Sequence, residues 1–114
     1  MGMSEIKVID LSDAQIVKDK TFISRRLVRR EHGSDGLSFN VSTLHEGFDD
    51  QDCVYPNNDE IVYLLSGKVE LTVNGKTHRI GKGQAIYIPR GMTYGYKVVE
   101  GPNEVIAVFT PAKT

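Results

Sequence analysis

Turn-forming residues recur at short intervals along this sequence and leave little room for a long helix between them. Gly, Pro and Asn dominate these breaks, and Asn74-Gly75 is the strongest hairpin signal because both residues tolerate a positive φ. The segments between the breaks are short, and apolar residues, many of them β-branched or aromatic, alternate in them with polar residues. The pattern predicts an all-β protein whose antiparallel strands form a sandwich or a barrel.

The strands are predicted at residues 21–30, 37–45, 61–65, 68–73, 76–80, 84–88, 93–99 and 104–110. Residues 46–52 are predicted as an acidic surface loop. The arginines of the first strand suit an exposed or edge strand, and the alternative is that Arg25 points inward and binds a substrate carboxylate. In the second strand, Phe39 and Val41 are predicted to share one apolar face with His45, which would then look into the mouth of the barrel.

The length of 114 residues fits one domain. Residues 1–20 are predicted as an N-terminal segment that covers the barrel or pairs with a partner, and residues 21–114 as the barrel itself. With 14 basic and 15 acidic residues, the chain has no global field that would attract nucleic acid or an anionic membrane. A single cysteine and the absence of an apolar run of roughly 20 residues lead us to expect a cytoplasmic protein.

A cluster of functional groups is predicted around residues 53–60. Cys53 and Tyr55 share a strand face because side chains alternate along a strand, and a turn at residues 56–58 can bring Glu60 beside them. Burial among apolar strands would raise the pKa of Glu60 towards the range of a general acid or base at neutral pH. Tyr55 and Tyr94 could donate hydrogen bonds to a developing oxyanion. Cys53 is expected to be a small buried residue and not a nucleophile.

The spacing of this stretch resembles the first motif of the cupin family, G-x5-H-x-H-x4-E-x6-G. Gly47, Glu60 and Gly67 occupy their motif positions, whereas Cys53 and Tyr55 stand where the family has histidines. The resemblance implies a jelly-roll β-barrel that forms a homodimer and binds a small molecule.

The second cupin motif, G-x5-P-x-G-x2-H-x3-N, resembles the stretch that begins at Gly83. Pro89 and Gly91 match, while Tyr94 replaces the histidine and Val98 the asparagine. The ethanolamine-utilisation cupins, which also lack the histidines, are similar in the C-terminal half, including the stretch Tyr87-Ile88-Pro89-Arg90-Gly91.

The family resemblance also implies a divalent metal, which would have to be held by Cys53, Tyr55, Glu60 and Tyr94. A thiol and two phenols must lose protons before they coordinate, and the resulting site would be strongly anionic in a low-dielectric barrel. We therefore predict no cofactor with a defined site and keep the metal as an alternative. In that case, His45 or His32 could supply an imidazole.

The leading hypothesis is a small-molecule-binding enzyme of isomerase, lyase or cyclase type that acts on a carbonyl or carboxylate compound. Its predicted catalytic residues are Glu60, Tyr94 and Tyr55, and its predicted substrate-binding residues are Cys53, His45, Tyr96 and Arg25. A metal-dependent cupin with a divergent ligand shell and a non-catalytic binding or sensor module remain open as alternatives.

Overall fold

The computed structural model describes residues 5–114 and places most of them in two antiparallel sheets. Residues 1–4 of the predicted N-terminal segment lie outside the described residues. The strands are β1 (Gln15–Lys18), β2 (Phe22–Val28), β3 (Ser38–Leu44), β4 (Asp49–Cys53), β5 (Asp59–Leu64), β6 (Lys68–Val73), β7 (Lys76–Gly81), β8 (Ala85–Ile88), β9 (Tyr94–Glu100) and β10 (Asn103–Thr110). The helical elements of residues 5–114 are two short 3-10 turns, Leu11–Asp13 and Arg30–His32. No helix in this part of the chain has the length and hydropathy needed to cross a bilayer.

The first sheet has six strands in the order β1-β2-β3-β10-β5-β8, and the second has four in the order β4-β9-β6-β7. Neighbouring strands are antiparallel, and several neighbours are distant in sequence, as in a jelly roll. The all-β jelly-roll prediction is confirmed. The Asn74-Gly75 hairpin joins β6 to β7, with φ of 50° at Asn74 and 77° at Gly75.

The core lies between the two sheets because each strand turns alternate side chains inward. Along β10 and β5, every second residue is buried, and Leu64 of β5 is fully enclosed. The second sheet contributes Val69, Leu71 and Val98 to the same cluster. This packing leaves a cavity between the sheets, and Val62, Tyr94, Tyr96 and Val105 of the cluster also line it.

Residues 46–52 were predicted as a loop, but Asp49–Cys53 forms β4 and pairs with β9. The prediction failed because β4 is the edge strand of the small sheet, where acidic side chains stay in solvent while the backbone still pairs. The expectation of an edge position for β2 is also wrong. β1 takes the edge, and β2 lies between β1 and β3.

The predicted orientation of β3 is reversed. Ser38 and Asn40 are buried on the inner face, whereas Phe39 and Val41 are only half-buried on the outer face. The alternation of apolar and polar residues predicts the strand correctly but does not determine which of its faces is the inner one. Here the polar side faces inward because it lines a cavity.

Candidate functional site

A cavity of about 330 Å³ lies between the sheets, with side chains from both in its wall. Its apolar lining comes largely from β3, β5 and β10. Its polar and ionisable lining comprises Ser24, Arg26, Asn40, Ser42, Asp50, Cys53, Tyr55, Glu60, Tyr94, Tyr96 and Lys113. The size suits a small organic molecule, since ligand pockets typically begin near 300 Å³.

Glu60 is the buried carboxyl group of this cavity, with 5% of its surface exposed. It lies near the start of β5, between Phe109 of β10 and Ile88 of β8. The Tyr94 hydroxyl on β9 donates a hydrogen bond of 2.8 Å to Glu60 Oε1. Burial raises the pKa of Glu60, and the Tyr94 hydrogen bond and the positive charge of Lys113 oppose that rise only in part.

The backbone next to Glu60 is held by the turn that follows β8. Asp59 Oδ1 accepts hydrogen bonds from the backbone N–H of Arg90 at 2.9 Å and from its Nε at 3.1 Å. These contacts lower the pKa of Asp59, so it stays ionised. The N–H of Gly91 in the same turn donates to the Tyr55 carbonyl at 2.9 Å. The Pro-Arg-Gly turn of the second motif therefore positions both Glu60 and Tyr55.

The three tyrosines of the lining have different roles in the structure. Tyr94 is bound to Glu60, while the Tyr96 hydroxyl donates to Oδ1 of the fully buried Asn103 at 2.6 Å. Tyr55 packs edge-on against Phe109 with ring centroids 4.9 Å apart. Burial, with the charge of Glu60 second, raises the pKa of all three phenols, so each is a hydrogen-bond donor at neutral pH.

Cys53 lines the cavity but is not activated there. Its thiol lies 3.9 Å from the Asp50 carbonyl oxygen. Burial, followed by the interactions with Asp50, raises the pKa of Cys53 to about 12. A thiol that stays protonated is a poor nucleophile. Cys53 was expected to be a small buried residue, whereas the structure leaves it half-buried.

The structure brings Cys53, Tyr55, Glu60, Tyr94 and Tyr96 together in one cavity. The other two predicted binding residues lie outside its lining, so their predicted placement is corrected. His45 is exposed just beyond the end of β3. Arg25 is on the outer face, where its Nη1 donates to Thr43 Oγ1 at 3.1 Å. His32 also lies outside the lining, and its Nδ1 accepts a hydrogen bond from the backbone N–H of Arg29 at 3.1 Å.

Sequence reasoning missed several polar lining residues, among them Arg26, Asn40 and Lys113. Arg26 directly follows the arginine that was predicted to bind substrate, and Asn40 pairs with Arg26 across β2 and β3. A correct inner face for β3 would have revealed both. Lys113 follows the last strand, and its ammonium group lies 4.8 Å from the centre of the Tyr55 ring and 5.0 Å from that of Phe109. No pattern in the sequence signalled that contact.

The residues at the histidine positions do not fit a metal ion. The donors available are one carboxyl group, one thiol and two phenols, and burial raises the pKa values of the thiol and the phenols. Within residues 5–114, no group of three His, Cys, Asp or Glu side chains is arranged to hold a metal. The imidazoles of His32 and His45, which could have replaced the lost ligands, are not in the cavity lining. We therefore derive no step through a metal.

The fold and the cavity define a small jelly-roll protein with a cavity of ligand size between its sheets. The sequence profile described as "Cupin domain" matches residues 41–109, more than half of the chain. The chain therefore belongs to the cupin family.

The chain matches a curated relative, the uncharacterised protein SCO3923 of Streptomyces coelicolor, with 27% identity over 56 residues. The match covers 49% of this chain and 53% of that protein, so it extends over about half the length of the relative.

Solved structures show the same fold. Ectoine synthase from P. lautus superposes with a TM-score of 0.84 at 25% identity, covering 96% of this chain and 80% of that one. KdgF from Halomonas sp. gives a TM-score of 0.78 at 17% identity over 92% and 94% of the two chains. The polyketide cyclase RemF from Streptomyces resistomycificus gives 0.76 at 23% identity over 94% and 80%.

Proposed function

We propose that this cupin is an acid–base enzyme of isomerase, lyase or cyclase type that moves a proton next to the carbonyl group of a small organic substrate. One observation carries the proposal: a buried carboxyl group, Glu60, is hydrogen-bonded to a phenol, Tyr94, inside a cavity of ligand size. The similarity to a protein named as ectoine synthase supports an enzymatic role.

Glu60 is suited to take up and return the proton. Its Oε1 accepts the Tyr94 hydrogen bond, which orients the carboxylate and leaves Oε2 for the substrate C–H. The raised pKa of Glu60 makes the carboxylate a stronger base than an exposed one, while still allowing it to ionise as the pH rises. Tyr94 is thus a positioning residue for this base.

The charge that develops on the substrate oxygen needs a donor on the cavity wall. The hydroxyl of Tyr94 is used by Glu60 and that of Tyr96 by Asn103, which leaves Tyr55 as the remaining phenol. A phenol whose pKa is raised donates a hydrogen bond without giving up its proton. The carbon that loses its proton to Glu60 then keeps the electron pair as an enolate. Returning the proton at another carbon gives isomerisation, and expelling a leaving group gives elimination.

Solvent-hydrogen exchange tests the proton transfer itself, whichever rearrangement or elimination follows it. A panel of small carbonyl acids is incubated with the protein in deuterated water, and loss of the proton next to the carbonyl is followed by NMR. We expect Glu60→Gln to slow enzyme-dependent exchange by about 100-fold or more, because a positioned base contributes at least that factor. The matched control is Glu70→Gln, which removes a carboxylate paired with Arg79 outside the cavity lining and should leave exchange unchanged.

Unchanged exchange in Glu60→Gln would contradict the proposal. Panel compounds that bind the wild-type protein but never exchange above the solvent rate would also contradict it, and would favour the non-catalytic binding module.

A further inference from the structure

Two buried polar atoms of the cavity lining lack partners. Asn40 is 6% exposed and its Oδ1 makes no hydrogen bond within residues 5–114; the same holds for the buried Nε of Arg26. The two residues are register partners on β3 and β2, yet Arg26 Nε does not donate to Asn40 Oδ1. Because buried donors and acceptors in folded proteins are nearly always paired, this neighbouring donor and acceptor indicate a place for a polar ligand.

The same part of the cavity has a surplus of positive charge. Lys113 lies over the rings of Tyr55 and Phe109, and burial, followed by the charge of Arg26, lowers its pKa. No ion pair among residues 5–114 includes Arg26 or Lys113.

The carboxyl groups of the lining do not neutralise this charge. Neither carboxyl group forms an ion pair with Arg26 or Lys113: the Tyr94 hydroxyl occupies Glu60 Oε1, and Asp50 is exposed on the edge strand β4. A bound anion would therefore complete the site at Arg26 and Lys113.

We infer that the cavity binds a hydroxycarboxylate, with its carboxylate on Arg26 and Lys113 and its hydroxyl donating to Asn40 Oδ1. The inference rests on the proposed function and names the substrate class of the same site. A planar carboxylate matches the fork of a guanidinium group, and Lys113 adds a second positive charge. The acceptor of Asn40 requires a donor on the ligand. A hydroxyl group meets that need, whereas an ammonium group would add a third positive charge beside two cations.

The remainder of the ligand meets apolar residues. Val62, Val105, Ala107 and Phe109 face the cavity from β5 and β10. Glu60 lies on the same wall, beside Phe109. Binding of the carboxylate at Arg26 therefore directs the carbon chain of the ligand towards Glu60. A binding group that is remote from the reacting bond can orient that bond in this way.

Calorimetry with three matched probes tests the inference. The probes are 2-hydroxyhexanoate, hexanoate and 2-hydroxyhexanamide, with inorganic phosphate as a further arm. We expect 2-hydroxyhexanoate to bind most tightly, hexanoate about 10-fold more weakly for loss of one hydrogen bond, and the neutral amide roughly 100-fold more weakly for loss of the charge-assisted contact. Equal binding of acid and amide, or tighter binding of phosphate, would overturn the inference.

Arg26 and Arg25 are neighbours on β2, but only Arg26 lines the cavity, so their variants form a matched pair. Arg26→Gln should weaken 2-hydroxyhexanoate about 30-fold or more and leave the amide unchanged, because a charge-assisted pair is lost. Arg25→Gln alters the neighbouring arginine on the outer face and should change neither affinity. Lys113→Gln gives an independent readout of the same charge if Arg26→Gln does not fold. Equal effects of the two arginine variants, or acid binding unaffected in Lys113→Gln, would contradict the site.

The outcome of these binding measurements can be distinguished from the outcome of the hydrogen-exchange test of the proposed function. Selective binding of the hydroxy acid with no exchange chemistry would refute the enzyme and keep the site. Exchange of neutral carbonyl compounds with no preference for acids would refute the site and keep the enzyme.

Discussion

Glu60 is the residue at which stability and function oppose each other. Its buried carboxyl group has a raised pKa, so the folded protein favours the neutral form. Below the pKa of an unfolded glutamic acid, about 4.3, both states are neutral and folding keeps its full stability. As the pH rises through the raised pKa of the folded state, the unfolded chain has already ionised and that stability is lost. The ionised form that appears in the same pH window is the base that the proposed chemistry requires.

Tyr94 reduces, but does not remove, the loss of stability that accompanies ionisation of Glu60. Its hydroxyl donates to the carboxylate at 2.8 Å, and a hydrogen bond to a charged group is worth about 1.5–3 kcal/mol. A histidine in that position could bind a metal but would itself titrate near neutral pH. A phenol with a raised pKa keeps its proton over the whole physiological range.

At the scale of single elements, Gly67 shows why a motif glycine follows β5. It adopts φ of 81°, and a Cβ there would lie 2.6 Å from the Glu100 carbonyl oxygen and 2.9 Å from the Cα of Asn103. The adjacent Ser66 carbonyl accepts a hydrogen bond from Asn103 Nδ2 at 2.8 Å, and Asn103 in turn accepts from Tyr96. The close approach of these loops therefore supports one wall of the cavity.

We predict that Gly67→Ala lowers the free energy of unfolding by about 3 kcal/mol or more, because backbone strain of roughly 1–2 kcal/mol adds to the steric clash. Gly75→Ala is the control. Gly75 also has a positive φ, of 77°, but a Cβ there would meet nothing within 4 Å, so only the strain should appear. Urea unfolding measures both. Equal losses in the two variants would show that the close approach at Gly67 has no energetic weight.

The elements were largely predictable from the sequence, whereas their faces were not. Turn residues and alternation are local signals, so the hairpin at Asn74-Gly75 and most strands were located correctly. The inner face of β3 depends on whether the space it borders is filled or hollow, which is a tertiary property. The wrong face for β3 left Asn40 and Arg26 unrecognised. The motif spacing brought Glu60 and Tyr94 to notice because it encodes the turns that position them.

On the scale of the whole molecule, the outer face of the large sheet carries a continuous apolar surface. One row of register partners crosses it through Tyr87, Ile61, Val108 and Phe39. A second row runs through Tyr63, Ile106 and Val41. Tyr87 is 64% exposed and Ile61 46%, so this face is unusually apolar for a surface that meets only water. We propose that a second copy of the chain covers it in a homodimer.

Size-exclusion chromatography with light-scattering detection measures the molar mass in solution and so tests the dimer. We expect a dimer for the wild-type protein and a monomer for the double variant Ile61→Lys and Tyr87→Lys, because buried charges without partners oppose association. Val99→Lys changes an exposed apolar residue on β9 of the small sheet and should leave the dimer intact. A monomeric wild-type protein, or equal dissociation by the control, would contradict this interface.

The ionisation of Glu60 tests the central claim most directly. In protein labelled with carbon-13 at the glutamate side-chain carboxyl groups, Glu60→Gln identifies the Glu60 signal by its disappearance, and NMR follows that signal in the wild-type protein as the pH is varied. We predict a titration midpoint above the ordinary value for a glutamic acid side chain, because burial raises the pKa of Glu60. A Glu60 signal that titrates at or below the ordinary glutamic acid value would contradict a buried acid–base group in this cavity.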